Sequence, residues 1–249
     1  MIKNFRQHLI NKYRTIKNIV RISKMSNEIG LDKIISIINL VENDYGHHQS
    51  VLLGKPVDSD LNPIPWYTYP AIEYLKQFDF SDKNIFEYGS GNSSIFWASL
   101  AKSVTSVEKD ASWFEVISKS KLSNLNIILK EQKSEYVNSI ESGNILYDLI
   151  VIDGAYRYDS AEVAIKYLSN DGLIILDDSE RYPELCSALR NNNLIQVDFF
   201  GLAPIVYYTK TTSLFLQKTF SLKPLSGKIP HFGIGSLRRE YDRYDNIKI

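Results

Sequence analysis

The chain has 249 residues, 44% of them hydrophobic and 12% aromatic, which is enough to bury a full α/β core. Lysine plus arginine equals aspartate plus glutamate at 29 each, so no global field favours nucleic acid or an acidic partner, and no nucleic-acid partner is expected. The single cysteine, Cys186, excludes an intrachain disulfide and a cysteine-rich zinc site, and reads as a small buried hydrophobe on a helix.

In chain order, Lys3, Arg6, Lys12, Arg14, Lys17, Arg21 and Lys24 precede the first acid, Glu28. Apolar residues recur among them as Phe5, Ile10, Tyr13, Ile16, Ile19, Val20 and Ile22, the pattern of a basic amphipathic helix. Two readings stand: a helix packed on its own domain with a solvated basic face, or peripheral membrane contact through residues 1–25. No apolar run is long enough for a signal core or a membrane span, so cytoplasmic residence is the expectation. Residues 1–60 read as a helical N-terminal extension. Its His47-His48 pair, like His231 later on, lacks spaced carboxylate or cysteine partners for a metal. The aromatic segment Ile64-Pro-Trp-Tyr-Thr-Tyr-Pro70 then leads into a helix from Ala71 to Phe78, and serves either as a lid or as a proline-braced cover for a sheet.

From Asn84 onward apolar runs alternate with amphipathic stretches. Strands are expected at Asn84 to Tyr88, Ser103 to Val107, Leu125 to Leu129, Tyr147 to Ile152 and Gly172 to Leu176. Helices are expected between and after them at Ser93 to Ala101, Trp113 to Lys121, Tyr136 to Ile140, Asp159 to Leu168 and Pro183 to Asn191. That alternation predicts a parallel sheet covered on both faces. Leu194 to Phe200 and Ser213 to Lys218 follow with no helix evident between them, which predicts an antiparallel closing pair. Residues 219–249 carry Pro224, Gly227, Pro230, Gly233 and Gly235 and read as an irregular tail.

The first of these strands ends in Ile85-Phe-Glu-Tyr-Gly-Ser-Gly-Asn-Ser-Ser94. Gly89 and Gly91 allow a tight turn and close approach of a ligand to the backbone. The next strand ends in Glu108, the place for a carboxylate that accepts ribose hydroxyls. A dinucleotide fingerprint would want glycine or alanine where Ser94 stands. Further carboxylates end the fourth and fifth strands, Asp153 in Ile-Asp-Gly-Ala-Tyr-Arg-Tyr158 and Asp177-Asp178 before Ser-Glu180. Converging carboxylates need a cation, a donor or a proton, and a hard divalent ion such as Mg²⁺ would serve. The alternative is turn and helix-cap roles.

Glu87-x-Gly89-x-Gly91-x-Ser93 resembles the first motif of class I S-adenosylmethionine-dependent methyltransferases, with Ser93 in place of the last glycine. The acids after the fourth and fifth strands resemble the catechol O-methyltransferase-like branch of that family. The resemblance spans about residues 65 to 218 and implies an α/β, Rossmann-like doubly wound seven-stranded sheet, mostly parallel with an antiparallel last strand, in a domain of residues 61–218. It also implies S-adenosylmethionine as cofactor, with Glu87, Gly89, Gly91, Ser93, Glu108 and Asp153 around it and Ser134 and Glu135 near the adenine. Metal ligands would fall on Asp153, Asp177 and Asp178, with Mg²⁺ the ion. Tyr156 stands where many relatives of this branch have histidine, and the lysine that the catechol enzymes use beyond this aspartate is absent. Arg157 is a poor base because guanidinium stays protonated. Asp153 is then the candidate general base, and whether a metal takes part stays open.

The implied activity is methyl transfer, with O-methylation of a small molecule or sugar as the expectation. Two other readings stand beside it, a nicotinamide-dependent oxidoreductase and a catalytically inert methyltransferase-fold binding protein. Fold alone does not decide among them.

Overall fold

Continuous apolar runs such as Leu149 to Ile152 and Leu173 to Leu176 form central strands because both of their faces are buried. The computed structural model describes residues 2–236, with side chains from residue 12 onward. Seven strands form one sheet: β1 Asn84–Tyr88, β2 Ser103–Glu108, β3 Leu125–Leu129, β4 Tyr147–Ile152, β5 Leu168–Asp177, β6 Ile195–Leu202 and β7 Thr209–Leu216. Their spatial order is β3-β2-β1-β4-β5-β7-β6. β7 runs antiparallel to both its neighbours, and the other pairings are parallel. This is the seven-stranded Rossmann-like sheet with an antiparallel last strand that the sequence predicts.

Alternate residues of each strand feed two cores. One face carries Ile85, Leu149, Val151, Leu173, Ile175 and Leu214 against Tyr67, Phe96 and Trp97. The other carries Phe86, Tyr88, Ile150, Ile152 and Ile174 against Tyr136, Ala161, Leu185 and Leu189. The helices are α1 Ile2–Ile29, α2 Leu31–Asn39, α3 His47–Leu53, α4 Tyr69–Leu75, α5 Asn92–Leu100, α6 Ala111–Ile117, α7 Lys133–Val137, α8 Arg157–Ala164 and α9 Pro183–Asn191.

Several boundaries move. β7 begins at Thr209 rather than Ser213, since its first half is polar yet buried through Lys210, Thr211 and Thr212. α8 starts at Arg157 and ends at Ala164, so Leu168 belongs to β5. Side chains 12–29 of α1 are exposed apart from the partly covered Ser26, so that stretch does not pack its apolar face on the domain. Residues 219–236 contain no helix or strand of the main set, and the rest of the expected tail lies outside the described residues. Among the described residues no helix is long and apolar enough to cross a membrane.

The aromatic segment 64–70 crosses β6 and β7 near the middle of their pairing, at Phe199 and Thr212. Thr68 N–H donates to Thr212 Oγ1 (3.0 Å), Thr212 Oγ1 donates to Asp177 Oδ1 (2.7 Å), and Thr68 Oγ1 donates to the Phe199 carbonyl (3.0 Å). One buried hydroxyl thus joins the strap to the end of β5. Thr212→Val, nearly the same shape, leaves a buried N–H and a carboxylate oxygen without partners, and is expected to cost about 2 kcal/mol or more. A urea unfolding midpoint unchanged from wild type would contradict this linkage.

Candidate functional site

In an open α/β sheet, ligands bind beyond the carboxyl ends of the strands where the strand order reverses. Here that point lies between β1 and β4, which are neighbours although β2 and β3 lie to the other side of β1. The chain after β1 and the chain after β4 meet there. Gly154 N–H donates to the Tyr88 carbonyl (2.7 Å) and Gly89 N–H to the Val107 carbonyl (2.9 Å). Gly89 has φ of 100°, and a Cβ on Gly154 would lie 2.2 Å from Tyr136 Oη and 2.7 Å from Gly89 N. Both glycines are therefore required by the fold itself.

Gly91 differs. Its backbone is extended, with φ of 173°, and a Cβ there would meet only Ser93 Oγ at 3.8 Å and Trp113 Cζ2 at 4.0 Å. Nothing among the described residues demands glycine at this position. It borders a cavity of about 120 Å³ lined by Trp66, Gly91, Ser93, Trp113, Asp153 and Ile205 among others. α5 begins immediately after it, so the unpaired N–H groups of the first turn give this edge a positive bias.

Glu87 lies under the same turn, fully buried. Its Oε2 accepts from Ser94 Oγ and from Ser106 Oγ (2.8 Å), while Oε1 has no partner. Burial raises its pKa to about 7, and the hydroxyls of Ser93, Ser94 and Ser106 oppose that rise without overcoming it. Ser94 also accepts from Gly91 N–H (3.1 Å), which ties α5 to β1 and β2 at the position where a dinucleotide fingerprint calls for glycine or alanine.

Glu108 ends β2 with both oxygens engaged. Oε2 accepts from Ser90 N–H (3.1 Å) and Ser90 Oγ (2.9 Å), and Oε1 from the N–H groups of Lys109 (2.7 Å) and Asp110 (2.9 Å). The carboxylate is thereby fixed in orientation beside the glycine turn, and Trp113 Nε1 closes on the Ser90 carbonyl (2.6 Å).

Ser134 lies apart, on a second cavity of about 450 Å³ with Gln132, Lys133, Val137, Asn138 and Asp159. Glu135 is exposed and pairs with Lys130 at 3.1 Å. The ring of Tyr156, with φ of 53°, has Lys109 and Lys133 over it at 5.5 and 5.6 Å from its centroid.

The three aspartates converge as expected, but the metal reading requires correction. Lys210 Nζ, from β7, sits on Asp177 Oδ2 and lies 2.9 Å from Asp178 Oδ1. Arg157 donates to the main-chain carbonyls of Asp153, Gly154 and Asp177 and to Asp153 Oδ1 (3.1 Å). Asp178 Oδ2 faces Arg181 at 3.5 Å and Arg157 at 3.9 Å. The protein's own cations take one oxygen each of Asp153 and Asp177 and both of Asp178, oxygens that Mg²⁺ would draw on, and among the described residues no group of three His, Cys, Asp or Glu is arranged to hold a metal. Asp153, Asp177 and Asp178 thus do not fit an ion in this arrangement. Asp153 still borders the small cavity, and burial raises its pKa against the opposing charges of Arg157 and Lys210. Lys210 is held charged, since Asp177 and Asp178 outweigh the downward pull of burial.

Of the aromatic strap only Trp66 lines the cavity. Tyr67 is fully buried with its Oη accepting from Trp97 Nε1 (3.4 Å), and Tyr69 is buried beside His47. Ile205, at φ of 73°, reaches the cavity from the β6–β7 connection.

No protein-family model and no curated protein matches the chain. Among solved structures, it is similar to a precorrin-6y C5,15-methyltransferase from Geobacter metallireducens, at 11% identity over 59% of this chain and 85% of the other, with a TM-score of 0.46. It is also similar to a putative O-methyltransferase from Klebsiella pneumoniae (19% identity, 73% and 89% covered, TM-score 0.45). A third is a putative methyltransferase from Streptococcus mutans in complex with SAH (11% identity, 58% and 94% covered, TM-score 0.44). Likenesses of this order carry no inference about activity.

The raised pKa of Glu87 sets a sign for stability. Its unfolded value is 4.5 and its folded value about 7, so the folded state binds the extra proton and the stabilisation is full below pH 4.5 and lost as pH rises through 7. Glu87→Gln is expected to flatten this decline, gaining on the order of 3 kcal/mol over wild type at pH 8 relative to pH 4. Parallel stability curves for the two proteins across that range would show that Glu87 is not the buried acid responsible.

Proposed function

We propose that this chain is an S-adenosylmethionine-dependent methyltransferase, most simply an O-methyltransferase of a small molecule or sugar. The observation that carries the reading is the glycine turn. Gly91 leaves open space beside the start of α5, and the Ser94 hydroxyl joins this turn to a buried glutamate with one oxygen unpartnered. The methionine end of the cofactor suits that geometry, with its carboxylate toward the first turn of α5 and its ammonium a partner for Glu87. The ribose would take Glu108, where the Ser90 hydroxyl now donates, and the adenine would lie toward Ser134 on the larger cavity. Ser94 and the antiparallel β7 count against the nicotinamide reading.

Methyl transfer from a sulfonium is an in-line displacement, so alignment of the acceptor and exclusion of water carry the rate. Trp66, Trp113 and Ile205 would wall the cavity, and Asp153 would take the acceptor's proton. A pKa above the ordinary carboxylate range makes Asp153 a better base than a solvated aspartate, with activity rising as it ionises. Calorimetric titration with S-adenosylhomocysteine tests the cofactor assignment. Wild type is expected to bind saturably, and Gly91→Ala to lose roughly a hundredfold in affinity or more with little change in stability. Absence of binding to folded wild type overturns the reading.

For α1 we propose a peripheral contact with an anionic lipid surface. Tyr13, Ile16 and Val20 recur at helical spacing and are exposed, and Lys17, Arg21 and Lys24 flank them. An apolar stripe bordered by cations matches an anionic bilayer in both chemistries. The full-length protein should float with vesicles containing anionic lipid and not with neutral ones, and Ile16→Glu with Val20→Glu should abolish flotation. Equal recovery of both proteins would remove the lipid contact.

A further inference from the structure

We propose that Lys210 is the resident cation of the strand-end carboxylates, filling the place a divalent ion would take and fastening the aromatic strap to it, so that this site works without metal. The inference deepens the functional reading above, but its test reads metal occupancy rather than cofactor binding, so the two fail separately.

An ammonium has three N–H donors, and here all three have acceptors. Nζ donates to Asp177 Oδ2, lies 2.9 Å from Asp178 Oδ1, and donates to the Trp66 main-chain carbonyl at 3.0 Å. The residue is 7% exposed, so these contacts are made out of water, where removing one partner of a charge pair is most costly. The other oxygen of Asp177 accepts from Thr212 Oγ1, and Asp153 and Asp178 face Arg157 and Arg181. Three carboxylates therefore meet three side-chain cations. A hard divalent ion needs several of these same oxygens at 2.0–2.6 Å. It cannot enter unless Lys210 leaves.

Antiparallel pairing supplies this arrangement. Asp177 of β5 lies opposite Thr212 of β7, which places Lys210 just past the end of β5. The cation is part of the chain and cannot dissociate or be chelated. Its third bond ties Trp66, and with it one wall of the small cavity, to the same cluster. Lys210 is therefore a positioning residue. With every donor engaged, it has none left for an acceptor molecule.

The test is Mn²⁺ binding to full-length protein, followed through the electron paramagnetic resonance signal of the free ion. Wild type is expected to leave that signal unchanged through the millimolar range. Lys210→Ser and Lys210→Gln are each expected to bind one ion at roughly a tenth or less of the highest concentration at which wild type stays silent, and adding Asp177→Asn to Lys210→Gln should remove that binding. If Lys210→Ser does not fold, Lys210→Gln carries the test, because its amide can keep the bond to the Trp66 carbonyl while giving up the charge on Asp177 and Asp178. Saturable Mn²⁺ binding by wild type that is lost in Asp177→Asn overturns the proposal, and so does a folded Lys210→Gln as silent as wild type.

Discussion

The candidate site depends on bringing carboxylates to one edge of a sheet without letting their repulsion open it. Two like charges 4 Å apart repel by about 4 kcal/mol even at an intermediate effective dielectric, and this edge gathers Asp153, Asp177 and Asp178 at adjacent strand ends. Arg157 and Lys210 resolve the conflict from opposite sides. Arg157 reaches back to the carbonyls that end β4 and β5, so it fixes the separation of those two strand ends as well as their charge. Lys210 enters from β7 and extends the same network to Trp66. The cavity wall, the sheet edge and the charge balance are thus one construction.

Glu87 is treated differently by the fold. It is buried among serine hydroxyls and, among the described residues, has no cation beside it and keeps one oxygen without a donor. A native protein seldom leaves a buried carboxyl half satisfied, and such an atom calls for a further partner, a water or a ligand. It lies beneath a turn whose second glycine the protein does not need for itself. Ionising Glu87 as pH rises through about 7 costs stability, and the cationic ligand proposed above would recover it.

Most of the architecture was legible in the sequence because burial on both faces writes itself as uninterrupted apolar runs. β1, β3, β4 and α9 fall at their expected limits. β7 did not, because Thr209 to Ser213 is a polar run that reads as a connection while in the fold its residues from Lys210 onward are buried, bonded to Asp177, Glu180, Ser179 and Asp198. That polar run conceals Lys210, and with it the cation that answers the three aspartates. The carboxylates sat at recognisable strand ends, whereas their partner lies 33 residues further along and meets them only through antiparallel register. A lysine set between threonines at the start of an apolar run was the available signal, and periodicity alone does not register it. The roles of Gly89 and Gly91 were also indistinguishable in sequence, since only the backbone angles and the neighbours of an added Cβ separate a glycine the turn requires from one it does not.

The role proposed for Glu87 is to pair with a cationic group of an S-adenosyl cofactor. It is tested most directly by titrating S-adenosylhomocysteine into the protein near pH 6.5 in two buffers of different ionisation enthalpy. Pairing with the ligand's ammonium draws Glu87 from its protonated to its ionised form, so binding should release a fraction of a proton, and Glu87→Gln should release none. Binding heats identical in the two buffers for wild type would contradict the account.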